Sequence, residues 1–146
     1  MINAFGISVL TMFGIGRSKF APGSLASLVT CLIYFPIFIY KPNFLVLIIA
    51  FAIFSIYSIV LIDQLENKFK KKDPREIVID EFIGQSIPIC LYEISHETSK
   101  ETDQVLTFYF IMFILFRIFD IAKPYPVSYY DKNFKNSFGV IMDDVC

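Results

Sequence analysis

The chain has 146 residues, the size of one domain, and it is 55% hydrophobic and only 18% charged, with a mean hydropathy of +0.60. Soluble domains carry about 25% charged residues, so the composition excludes a disordered chain and predicts that excess apolar surface faces lipid. The net charge of −1 excludes a broad basic surface for nucleic acid, and three cysteines with one histidine exclude a disulfide framework or a zinc site.

Four apolar runs predict an all-α helical bundle, integral to a membrane, with about four spans. In chain order the runs are 25–40, 44–62, 82–94 and 105–119. The run 44–62 has no charge and about the length that one crossing needs. The run 82–94 is short and contains Gln85, Pro88 and Glu93, so a buried or re-entrant helix competes there with a crossing one.

Basic residues near the span ends predict the orientation, because they resist transfer across the membrane. Arg17 and Lys19 precede the first span, and further lysines lie in the segment 63–81 and after the last span. We therefore expect the N-terminus, the segment 63–81 and the C-terminal tail on the cytoplasmic side. The start of the chain lacks the features of a removed signal peptide, and no repeat or composition break divides the single domain 1–146.

The loop before the first span is rich in Gly, Pro and Ser and carries Arg17 and Lys19. Free backbone N–H groups at a helix N-terminus, with the hydroxyl of Ser24 or Ser27 nearby, can hold a phosphate or a carboxylate. The spacing is not that of a P-loop. A plain capped entry to the span, flanked by cations, explains the same residues.

Two acidic pairs are candidate metal ligands. Asp80 and Glu81 precede an apolar run, and Asp143 and Asp144 follow the break at Gly139. Carboxylate oxygens, together with water and substrate phosphate, are the ligands that Mg²⁺ prefers. The alternatives are helix capping by the first pair and a solvated acidic chain end for the second.

Arg117 and Asp120 lie three residues apart near the end of the last span, so on a helix they share a face. Pro124 and Pro126 follow Lys123 and are predicted to end the helix just after these charges. Ionisable residues of both signs at a span end favour a functional site, whereas a purely structural ion pair is the alternative.

Serine or cysteine triads are not supported, since His96 is the only histidine. A phosphorylated lipid head group held through Mg²⁺ suits the remaining residues.

Three blocks of the chain, 21–28, 80–84 and 116–126 with Asp131 and 139–144 after it, resemble the motifs of a known family. These motifs are A-P-G-T-x-G-S-L, D-E-x-x-G, F-R-x-x-D-x-x-K-P-x-P and G-x-M-x-D-D, and the family is that of the phosphatidylglycerophosphatase A enzymes of bacterial membranes. The resemblance implies a multi-pass protein of the bacterial inner membrane. It further implies Mg²⁺-dependent hydrolysis of phosphatidylglycerophosphate to phosphatidylglycerol and phosphate on the cytoplasmic side.

The roles follow from the resemblance together with the residue types. The expected catalytic residues are Asp80, Glu81, Arg117, Asp120 and Lys123. The expected substrate-binding residues are Arg17, Pro22, Gly23, Ser24 and Ser27. The expected metal ligands are Asp80, Glu81, Asp143 and Asp144.

The chain departs from the family pattern in a few places. Ser24 replaces a threonine and keeps its hydroxyl, Ala26 replaces a glycine, and Asn136-Ser137 stands where a glycine pair is common. The family continues into a final apolar helix, so a chain ending at Cys146 is expected to be a truncated product or a fragment. Two other functions stay open at this point, a non-catalytic helical membrane subunit and a soluble helical relative that acts on another phosphate ester.

Overall fold

The computed structural model describes residues 4–40, 44–69, 76–95, 101–133 and 144. These residues form helices and connecting turns, without a strand among them, which confirms the predicted all-α fold. The elements in chain order are α1 (Ala4–Leu10), a 3-10 turn (Ile15–Arg17), α2 (Pro22–Tyr40), α3 (Phe44–Phe69), α4 (Ile79–Ser95), α5 (Thr102–Ala122) and α6 (Val127–Asn133).

Helices form over all four apolar runs, and two of them are long and apolar enough to cross a membrane. The two cover Val46–Gln64 in α3 and Thr102–Ala122 in α5. Only 17% and 11% of the residues in their most apolar stretches are buried. Soluble monomers rarely expose continuous apolar surface of this kind. The fold is therefore that of an all-α membrane protein. This disfavours the alternative of a soluble helical protein that acts on another phosphate ester. That the chain crosses the membrane about four times stays a prediction.

Helix α4 lies at the centre, in contact with α2, α3 and α5. Apolar clusters hold its two ends. The cluster at its N-terminal end draws on α1, α2 and α3 and includes Val9, Leu10, Ala26, Leu61, Ile62, Ile79 and Ile83. The cluster at its other end comprises Cys31, Tyr34, Ile89, Cys90, Val105 and Tyr109. Burial on both sides fixes α4 within the bundle, because moving it would expose both clusters.

The segment that leads into α4 is fixed by the N-terminal part of the chain. Ile77 and Val78 are buried, and the backbone N–H of Val78 donates to the carbonyl oxygen of Leu10 at 3.1 Å. The acidic residues that follow, Asp80 and Glu81, therefore leave this anchored segment at a defined position.

Helix α5 ends as the two prolines predicted. It stops at Ala122, and Lys123 takes a left-handed conformation with φ 40°, its N–H donating to the carbonyl oxygen of Phe119 at 2.8 Å. The Tyr125–Pro126 peptide bond is cis. The short helix α6 then begins at Val127 and includes the backbone of Asp131.

Candidate functional site

Three carboxylates meet where α4 begins. One oxygen from each of Asp80, Glu81 and Asp144 lies within 4.8 Å of the other two. Asp80 and Glu81 occupy the first turn of α4, where the helix dipole favours negative charge. Three carboxylates this close repel one another unless a cation or a proton lies among them. All the donors are oxygens, which suits a hard cation such as Mg²⁺ or Ca²⁺.

The start of α2 packs directly on this acidic cluster through Gly23. A Cβ at residue 23 would collide with Oε1 of Glu81 and would lie 3.2 Å from Nη1 of Arg117. Glycine therefore allows the N-terminus of α2, the positive end of its dipole, to approach both side chains. Pro22 precedes it at the first helical position. Proline is favoured there because a backbone N–H at that position would have no acceptor within the helix, so its absence costs nothing.

Burial governs the protonation of Glu81. Desolvation raises the pKa of the Glu81 carboxyl above its usual range, while the hydrogen bond with Asp80 and the charge of Arg117 lower it. Oε2 of Glu81 is buried and accepts no hydrogen bond from the described residues. A cation bound among the carboxylates would favour the ionised form and lower this pKa.

Arg117 and Asp120 form an ion pair, the structural alternative that their three-residue spacing left open. Nη1 of Arg117 lies 2.8 Å from Oδ2 of Asp120, and the two side chains are 16% and 19% exposed. Nε of Arg117 is buried and makes no hydrogen bond within the described part of the chain. The pair thus places a cation beside Glu81 with donor capacity left for an anion.

Gly84 allows residue 144 to approach this site closely. A Cβ at residue 84 would collide with the backbone carbonyl oxygen of Asp144 and would lie 2.8 Å from Cε2 of Phe116. A backbone carbonyl cannot swing away as a flexible side chain can. Glycine at this position therefore lets residue 144 lie against α4, one turn from Asp80 and Glu81.

The remaining predicted residues lie on α2, on the 3-10 turn and at the end of α5, or outside the described residues. Ser24 is half-buried in the first turn of α2, and the buried Ser27 donates its hydroxyl to the carbonyl oxygen of Gly23 at 3.1 Å. Arg17 is exposed on the 3-10 turn, which contacts α2, and Lys123 is half-buried at the end of α5. Asp143 lies outside the described residues, and the same holds for the Asp131 side chain.

Gln85 lies outside the motif positions from which the site residues were expected. It is fully buried, and neither its amide nitrogen nor its amide oxygen has a hydrogen-bond partner among residues that the structure describes. An unsatisfied buried polar group costs about 1–3 kcal/mol. The sequence signal was its position four residues after Glu81 in an otherwise apolar run, a spacing that places both on one helix face.

Together these side chains suit a phosphate ester. The acidic cluster offers oxygen ligands to a divalent cation, Arg117 offers a guanidinium for non-bridging phosphate oxygens, and the start of α2 adds the positive end of a helix. The outward-facing apolar surface of α5 begins beside this polar centre.

Comparison with known proteins gives consistent matches. The family model described as Phosphatidylglycerophosphatase A matches residues 8–146. A Bacteroides thetaiotaomicron protein with the provisional name phosphatidylinositol-3-phosphatase is 34% identical over 138 residues, covering 92% of this chain and 81% of that protein. A protein named phosphatidylglycerophosphatase A in Escherichia coli is 26% identical, covering 91% of this chain and 71% of that protein. Another of that name in Haemophilus influenzae is 38% identical, covering 50% of this chain and 39% of that protein. No solved structure matches.

Proposed function

This chain belongs to the phosphatidylglycerophosphatase A family, as the motif resemblance indicated, and we propose that it hydrolyses phosphatidylglycerophosphate to phosphatidylglycerol and inorganic phosphate. Family membership confirms a phosphatase enzyme and disfavours the non-catalytic membrane subunit. The observation that carries the proposal is the acidic cluster of Asp80, Glu81 and Asp144 beside Arg117, at the end of an apolar helix. This reaction completes the synthesis of phosphatidylglycerol.

The proposed cofactor is Mg²⁺, held by Asp80, Glu81 and Asp144, with Asp143 as a further ligand. Its fit rests on the all-oxygen donor set and on the buried Oε2 of Glu81, which accepts no hydrogen bond from the described residues. When bound, Mg²⁺ would neutralise charge on the phosphate oxygens as a Lewis acid.

The side chains of the chain itself then orient the phosphate and stabilise charge. Arg117, held by Asp120, donates to non-bridging oxygens of the transferring phosphoryl group, and Lys123 and Arg17 add positive charge. The N-terminus of α2, with Pro22, Gly23, Ser24 and Ser27, lines the phosphate side of the site. Water forms the new P–O bond while the bond from phosphorus to the glycerol oxygen breaks. A site carboxylate takes the water proton and passes it to the leaving glycerol oxygen, so that the products are a glycerol hydroxyl and inorganic phosphate.

The proposed location is the bacterial inner membrane, with several crossings and the active site on the cytoplasmic side. The two apolar helices over Val46–Gln64 and Thr102–Ala122 support membrane insertion. Arg17 and Lys19 precede α2, whose first turn packs on Glu81 of the acidic cluster, and the positive-inside tendency supports a cytoplasmic position for this end of α2.

Phosphate release tests the proposal directly. We expect the detergent-solubilised chain to release phosphate from phosphatidylglycerophosphate with Mg²⁺ and to stop when EDTA removes it. Asp80→Asn should lower turnover by at least about 100-fold, because it removes a carboxylate from the metal site. Asp103→Asn is the matched control, an exposed aspartate in the first turn of α5, and should keep wild-type turnover. Full activity in EDTA or in Asp80→Asn would contradict the metal assignment.

A second substrate is favoured by one observation, the provisional name of the Bacteroides relative. The same assay with phosphatidylinositol 3-phosphate ranks the two lipids by kcat/KM. A higher kcat/KM for phosphatidylinositol 3-phosphate would reassign the head group while leaving the phosphatase chemistry intact.

The variant Gly23→Ala is expected to affect turnover and thermal stability differently. Alanine favours a helix over glycine by about 1 kcal/mol, but its Cβ would meet Oε1 of Glu81, and the carboxylate would move out of the cluster. We expect Gly23→Ala to keep or raise the thermal midpoint in detergent and to lower turnover about 10-fold or more. Unchanged turnover would mean that the start of α2 does not constrain Glu81.

A further inference from the structure

An open groove runs between α4 and α5 from the acidic site towards the middle of both helices. It has a volume of about 230 Å³ and is lined mainly by apolar side chains, chiefly Ile87, Pro88, Met112, Leu115, Phe116 and Phe119. Asp120 and Asp144 line the same groove, and Gly84 leaves the first part of its α4 side, before Ile87 and Pro88, without a side chain. The groove is thus polar at the phosphate site and apolar beyond it.

The direction of the groove follows the apolar part of α5. Met112 precedes Asp120 by eight residues, which on a helix is a distance of about 12 Å along the axis. α5 is one of the helices suited to span a membrane, and few of its side chains are buried. An occupant that enters at the carboxylates and extends along α5 therefore passes from a charged end into an apolar, open groove.

We propose that this α4–α5 groove binds one acyl chain of the phosphorylated phospholipid substrate while its head-group phosphate lies at the acidic cluster. The inference rests on the proposed function and adds to it a recognition site for the apolar part of the substrate. The groove is smaller than the roughly 300 Å³ at which pockets for whole small ligands begin. It therefore takes the part of one chain nearest the glycerol, and the second chain stays in the bilayer.

A second apolar groove, between α2 and α5, provides an internal comparison. It is lined by Leu28, Cys31, Leu32, Leu106, Tyr109 and Phe110 among others, and no carboxylate lines it. Its separation from the acidic cluster means that a chain lying there would have no phosphate at its polar end. Of these two grooves, the α4–α5 groove is the one that joins apolar lining to the acidic cluster.

The kinetic test narrows each groove with a bulky side chain and compares two substrates. Met112→Trp, and Leu115→Trp as a second variant, are measured on a long-chain phosphatidylglycerophosphate and on its dibutyroyl form, whose four-carbon chains have few methylenes to bury in the groove. We expect kcat/KM for the long-chain lipid to fall about 10-fold, the loss that follows when about two methylenes lose burial, with the dibutyroyl value unchanged. Leu106→Trp, in the other groove on the same helix, should change neither.

A binding test uses the absence of tryptophan from this chain. Each variant carries a single tryptophan, whose fluorescence is recorded in detergent with phosphatidylglycerophosphate brominated on its acyl chains. We expect saturable quenching of Met112→Trp that unbrominated substrate reverses, and no saturable quenching of Leu106→Trp.

The outcomes separate this inference from the proposed function. Wild-type chain that releases no phosphate overturns the function, whereas the quenching test still reports on the groove because it needs no turnover. Equal losses on both substrates, no loss on either, or quenching of Leu106→Trp equal to that of Met112→Trp would overturn the groove assignment.

Discussion

Glu81→Gln is expected to abolish phosphate release, with turnover reduced by at least about 100-fold and a weaker apparent affinity for Mg²⁺. Glu81 contributes to three features of the site at once. Its oxygens belong to the acidic cluster, Oε1 contacts Gly23 at the start of α2, and Arg117 lies beside it. Glutamine keeps the shape but removes the charge that a divalent cation and the guanidinium require. Steady-state turnover as a function of Mg²⁺ concentration measures both effects.

The matched control is Glu93→Gln, at the other end of the same helix. Glu93 accepts a hydrogen bond from the Tyr109 hydroxyl at 2.9 Å, and a glutamine carbonyl can accept the same bond. We expect wild-type turnover and a thermal midpoint close to that of the wild type. If Glu81→Gln and Glu93→Gln lose turnover equally, loss of charge in α4 disturbs the fold in general, and Glu81 has no special role.

Arg117→Met is expected to reduce kcat by about 100- to 1000-fold, the range typical of removing one donor that stabilises transition-state charge. It should also lower the thermal midpoint, because Asp120 is only 19% exposed and loses its cation. The kcat of Arg117→Lys should fall between those of the wild type and Arg117→Met, since a lysine keeps the charge but lacks the planar fork of donors. Both variants are compared with the wild type in phosphate release and thermal denaturation in detergent.

A double substitution separates the structural from the chemical role of this pair. Replacing Asp120 by asparagine in Arg117→Met removes the unpaired carboxylate, so the thermal midpoint should recover. The kcat should stay low, because the guanidinium that faces the phosphate is still missing. Recovery of both quantities would mean that Arg117 serves only to pair with Asp120.

The sequence predicted most of the fold because helices in a membrane protein follow apolar runs. Residues 44–62 lack charges over the length of one crossing, and α3 covers them fully. The exit from α5 was equally predictable, since Pro124 cannot continue a helix. Helices α1 and α6 were not predicted. Each has only seven residues, too few for helical periodicity to emerge from local sequence.

Spacing alone could place sequence neighbours on one helix face, whereas contacts that depend on tertiary packing could not be read from the sequence. The three-residue spacing of Arg117 and Asp120 left an ion pair as the structural alternative to a functional site, and the pair is present. The contact of Gly23 with Glu81, and that of Gly84 with residue 144, depend on how helices pack. Gln85 was missed for the same reason, because burial of a polar side chain becomes visible only when its neighbours are in place.

The contact between Gly84 and residue 144 has a consequence for the biosynthesis of the protein. Glu81 and Asp144 are 63 positions apart, so at about 5–20 residues per second a ribosome needs roughly 3–13 s to pass from one to the other. During that interval α4 can already have been inserted, while the third carboxylate does not yet exist. A nascent chain is therefore expected to acquire its full acidic cluster only after residue 144 has been added, and ribosome arrest before residue 144 should yield a membrane-inserted but inactive protein.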